Sequence, residues 1–83
     1  MNIKCIYKIS EDKEKNCSVN YDNIVRKIGA VAWEINREKS DVLIQVLLKN
    51  EKDVYELKRR LGGKRSRNVK KVEIVKFELE ANK

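Results

Sequence analysis

The sequence predicts an α+β fold, with one antiparallel sheet carrying two helices on one face. Three observations predict it. Apolar residues alternate with polar ones at a period of two in several short runs. Two other stretches place apolar residues at helical spacing between recognisable start and stop signals. These segments then follow one another as strand, helix, strand, strand, helix, strand. Eighty-three residues make one domain, 1–83, and leave no room for a second core.

The first strand is IKCIYKI, Ile3 to Ile9, with Ile3, Cys5, Tyr7 and Ile9 on one face and Ile6 between two lysines on the other. The polar run after it, residues 10–20, has no periodicity and reads as a loop. A short helix is expected from Tyr21 to Ile28, capped by Asn20 and ended by Gly29, followed by a strand from Ala30 to Asn36. Ile24, Ile28, Val31 and Ile35 also fit one continuous helix over 21–36, and that alternative stays open at this level. Gly29 in its middle would cost about 1 kcal/mol.

Arg37 to Ser40 separates this strand from DVLIQVLLK, an almost wholly apolar run expected to be buried on both faces. The clearest helix follows. Asn50 caps it, Glu51 and Asp53 suit the positive end of its dipole, and Val54, Leu57 and Leu61 form the buried stripe. Arg59 and Arg60 suit its negative end, and Gly62 is expected to supply a left-handed stop. Val72 to Glu80 is the last strand. The βαββαβ order corresponds to the ferredoxin-like arrangement, which hosts many unrelated functions.

Composition limits the chemistry. The chain has no histidine, so the usual proton shuttle near neutral pH is missing. Ser10, Ser18, Ser40 and Ser66 fall in loops or at strand ends without a base at hand, and LGGK lacks the upstream glycine and following hydroxyl of a phosphate loop. No enzyme, metal or cofactor is expected. Cys5 and Cys17 form neither a disulfide framework nor a zinc pattern. Cys5 reads as a buried apolar residue, and Cys17 as an exposed thiol in a loop. With no apolar block at the start and no run long enough to span a bilayer, a cytoplasmic location and no membrane partner are expected.

Charge carries the functional expectation. The formal net charge is +7, yet up to Leu57 bases and acids cancel, so all of it lies in the last 26 residues. Between positions 58 and 71 stand Lys58, Arg59, Arg60, Lys64, Arg65, Arg67, Lys70 and Lys71, with no acid among them. The helix dipole accounts for Arg59 and Arg60 but not for the five bases beyond the helix. The expected partner is nucleic acid, RNA or DNA, held through its phosphates by a small accessory or regulatory protein. The alternative is a protein-interaction module, either a homodimer through an edge strand or a basic face docked on an acidic protein, as an inhibitor or assembly factor would be.

Two other readings have less support. CIYKI resembles the shorter of the two RNA-recognition-motif signatures, with an aromatic between aliphatics. This resemblance covers about six residues and would imply base stacking on the sheet. The longer signature is absent, because VLIQVLLK has no aromatic, and Tyr7 and Trp33 are expected in the core or at a sheet edge. A metabolite-binding ACT-like domain would need a glycine-containing turn after the first strand, which is not there.

Overall fold

The computed structural model describes residues 2–11, 20–39, 41–62 and 69–80. Six elements follow in order: β1 (Asn2–Glu11), α1 (Tyr21–Ile28), β2 (Ala32–Glu38), β3 (Asp41–Leu48), α2 (Glu51–Leu61) and β4 (Val69–Glu80). The strands form one sheet in the order β2-β3-β1-β4, every neighbouring pair antiparallel. Strands β1 and β3 are therefore central, and β2 and β4 are the edges.

The two-residue period of β1 sets the core. Ile3, Cys5, Tyr7 and Ile9 are buried, and they stand opposite Leu48, Val46, Ile44 and Val42 of β3, which are buried as well. Both helices cover this face. Helix α1 contributes Tyr21 and Val25, and α2 contributes Val54, Leu57 and Leu61. Burial of such apolar side chains contributes about 1.5–3 kcal/mol each. Tyr7 is fully buried, and its hydroxyl donates to the Val54 carbonyl at 2.6 Å, which fixes α2 to the middle of the sheet. Burial also raises the pKa of Tyr7 and of the Cys5 thiol, so both stay neutral.

Over 21–36 the chain forms a helix and then a strand, not one long helix. Asn20 accepts from the Asn23 N–H at 3.1 Å. Gly29 closes α1 in the left-handed region, at φ 88°, and donates to the Arg26 and Val25 carbonyls. That conformation is what a β-carbon would strain, so the glycine ends the helix.

Four expectations need correction. The run Asp41–Leu48 is buried on one face only; its alternate residues Leu43, Gln45 and Leu47 are half-buried, because among the described residues no second layer covers the open face. Gly62 ends α2 at φ −97°, not in the left-handed region. Asn50 sits at the start of α2 without a side-chain capping bond; instead its backbone carbonyl accepts from the Asp53 N–H at 3.1 Å. Strand β4 begins at Val69, three residues earlier than its hydrophobic pattern suggested, because Lys70 and Lys71 disguise its start.

The two helix-ending glycines should respond differently to alanine. Gly29→Ala forces a side chain into a positive φ and should cost about 1 kcal/mol or more. At Gly62 a β-carbon would meet only the Val72 Cγ2 at 3.5 Å and the Lys58 carbonyl at 3.6 Å, which are ordinary contacts. Gly62→Ala should therefore leave stability unchanged or raise it by up to about 1 kcal/mol. Denaturant midpoints of the two variants check this. Tyr7→Phe should cost about 1 kcal/mol by removing the buried hydroxyl bond, read in the same way.

Candidate nucleic-acid interface

The chain turns that bring α2 back to the sheet also bring described basic residues of α2 and β4 to one end of the domain. Helix α2 leaves β3 at Leu48, which pairs with Ile3, and ends at Gly62 against Val72, which pairs with Ile9. It therefore runs antiparallel to β4, and its last turn lies over the beginning of that strand. Lys58, Arg59 and Arg60 on the helix come to the same end of the molecule as Lys70 and Lys71 on β4. All five are exposed. Lys64, Arg65 and Arg67 lie outside the described residues.

The described bases are not equally available. Glu56 takes both helical arginines. Arg59 donates to its two carboxylate oxygens at 2.6 and 3.1 Å, and Arg60 Nε donates at 3.0 Å. These bonds, Arg59's first, hold the Glu56 carboxyl down to about 2 and push the Arg59 guanidinium up. The spacing was legible, since Glu56 precedes the arginines by three and four residues, the reach of neighbours on one helix face. A count that began at Lys58 missed it.

Lys70 and Lys71 are strand residues, not the loop residues that the sequence suggested. Lys71 stands opposite Ser10 on the open face of the sheet and pairs with Glu73 at 2.6 Å, which raises its pKa and lowers that of Glu73. Lys70 falls where the β1–β4 register shifts, between Lys71 opposite Ser10 and Val69 opposite Glu11. Among the described residues, no carboxylate lies within ion-pair distance of Lys58 or Lys70. Both lysines are exposed, and the arginine pair exceeds the single carboxylate of Glu56 by one charge.

Of the other described acids at this end, Glu11 and Asp41 are engaged, whereas Glu38, opposite Asp41, is exposed without an ion pair among the described residues. Glu11 accepts from the Tyr21 hydroxyl at 2.6 Å and from Arg37 at 3.4 Å, while the Arg37 guanidinium lies 5.3 Å from the Tyr21 ring centroid. Lys8 and Asp41 pair at 3.8 Å. A recess of about 300 Å³ between β2 and β3 is lined by Lys4, Glu34 and Gln45 among others, and its two charges balance.

The aromatic residues settle the likeness to the RNA-recognition motif. Tyr7 points into the core, and Trp33 is half-buried on the helix face of β2, where its indole N–H donates to Asp22 at 2.8 Å. Among the described residues the open face bears no aromatic side chain, so it offers no platform on which bases could stack. No protein-family model matches the chain, and the search of curated proteins finds no significant relative. No described helix is long and apolar enough to cross a membrane.

The Glu56 pairs should persist far into acid. A carboxyl lowered to about 2 keeps its contribution to stability in full above its ordinary value near 4.5, and loses it progressively as pH falls from there through about 2. A carboxyl-detected NMR titration should give Glu56 a midpoint near 2, moving up towards 4.5 in the Arg59→Ala/Arg60→Ala variant.

Proposed function

We propose that this protein binds nucleic acid through phosphate contacts at the α2–β4 end, as a non-catalytic accessory or regulatory factor. The observation that carries the reading is the run of eight bases without an acid between positions 58 and 71, both of whose described ends lie at one end of the domain. The absence of stacking aromatics on the open face argues for backbone recognition in place of base readout. The ferredoxin-like arrangement is part of this proposal. Its support is the interleaving of two split β-α-β units, β1-α1-β2 around β3 and β3-α2-β4 around β1. A cytoplasmic setting is also proposed, consistent with a fully buried free thiol at Cys5.

Lys58, Lys70 and the three bases of residues 63–68 make about five phosphate contacts the natural number. Log affinity for duplex DNA should then fall against log salt with a slope of roughly −4 to −5, and less steeply for single strands. Lys58→Glu/Lys70→Glu should weaken binding on every sequence alike and flatten that slope by about 2, leaving the fold intact. Fluorescence anisotropy at several salt concentrations measures both. If the parent binds no nucleic acid at low salt, the basic end is a docking face for an acidic protein instead.

A further inference from the structure

Among the described residues, strand β4 is a long open edge with an apolar flank. An edge strand presents unpaired backbone donors and acceptors, and proteins protect such edges with charge, bulges or a covering segment. The other edge, β2, is seven residues long and exposes Glu34, Asn36, Arg37 and Glu38. β4 runs for twelve, and three of the five exposed large apolar side chains among the described residues lie on it: Val75, Phe77 and Leu79. Phe77 and Leu79 stand opposite Cys5 and Ile3, so they lie on the helix face, beyond the cover of α2. A fourth, Tyr55, is 59% exposed and precedes Gly62 by two helical turns, on the flank of α2 that faces β4.

The charges on β4 identify what fits there. Lys71, Glu73, Lys76 and Glu78 occupy the open face, opposite Ser10, Lys8, Ile6 and Lys4. Val75 stands opposite no residue of β1, so the alternation changes phase in mid-strand, between Ile74 and Lys76. Turned about a twofold axis at the Ile74–Val75 step, a second strand of the same sequence matches this pattern. Lys71 then faces Glu78 of the second copy, Glu73 faces Lys76 of the second copy, and the other two pairs follow by symmetry. On the helix face, Val72 meets Phe77 of the second copy. Sliding the partner by two residues sets Lys71 against Lys76 in one direction and Glu73 against Glu78 in the other. The phase change makes this register fit, because paired residues from opposite sides of it share a face.

The helices agree with the strands. Because α2 runs antiparallel to β4, its acidic first turn, Glu51 and Asp53, comes beside the basic last turn of the second copy's α2. We propose that β4 is a homodimer interface, in which two copies join edge to edge through this register into one eight-stranded antiparallel sheet. Tyr55, Val75, Phe77 and Leu79 of both copies would be covered along the seam. The proposal does not rest on the nucleic-acid reading, and its test changes neither Lys58 nor Lys70.

Sedimentation velocity from micromolar to near-millimolar protein should show the parent as a dimer. Glu73→Lys and Lys76→Glu should each raise the dimer dissociation constant about tenfold or more, because each sets like charges opposite one another twice across the axis. An equimolar mixture of the two variants should recover dimers, since all four cross-strand pairs become complementary again. A parent that stays monomeric throughout overturns the proposal. So do single variants that dimerise like the parent, or a mixture that does not recover. Circular dichroism checks that each variant folds. If one does not, amide exchange in the parent decides: protection across 69–80 should rise with protein concentration, and self-association without that rise places the interface elsewhere.

Discussion

The alternation of β1 is the constraint on which the rest of the molecule depends. This strand hydrogen-bonds to both β3 and β4, and its odd-numbered residues from Ile3 to Ile9 form the floor on which both helices rest. A slip of one residue against either neighbour would turn Lys4, Ile6 and Lys8 inward and Tyr7 outward. The Tyr7 hydroxyl then ties the floor to α2. A one-residue slip would leave it without the Val54 carbonyl, so polar and apolar terms specify the same register.

With β1 fixed, the position of the charged surfaces follows. The turn after β3 starts α2 near Ile3, and the helix length returns the chain beside Ile9, where β4 begins. The basic residues at the end of α2 and the start of β4 are neighbours for that reason, although the nearest of them, Arg60 and Lys70, are ten positions apart. The same path leaves the last part of β4 beyond the cover of the helices, with Phe77 and Leu79 exposed on the helix face.

Much of this was legible in the residues. Asn20 and Gly29 mark α1 by local chemistry alone, and the stripe Val54, Leu57 and Leu61 marks α2, because caps and helical spacing act within a few positions. What failed depended on context. The apolar run of β3 suggested two covered faces, but whether a second layer exists is decided by other elements. Gly62 suited a left-handed stop, yet α2 ends without one, and the glycine instead lies close against Val72. The start of β4 was hidden because Lys70 and Lys71 carry no hydrophobic signal, and only pairing with β1 makes them a strand. At the end where α2 meets β4, the sequence supplied the charges but not their neutralisation: Glu56 was within reach by helical spacing, whereas the bond between Lys71 and Glu73 depended on their lying in a strand.

The Glu56 carboxylate has a consequence for how an anion would meet α2. Arg59 and Arg60 are already held in fixed directions by charge-assisted bonds, with three donor contacts ending on one acceptor group. An incoming anion therefore trades places with a resident one. The free energy gained is the difference between two similar sets of bonds, and an arriving group with a single sparse charge has little advantage over the carboxylate it displaces. This part of the surface is preset in orientation and muted in strength. Under the proposed reading it would gauge how densely charge is packed on an approaching anion, with the exposed lysines beside it supplying the attraction.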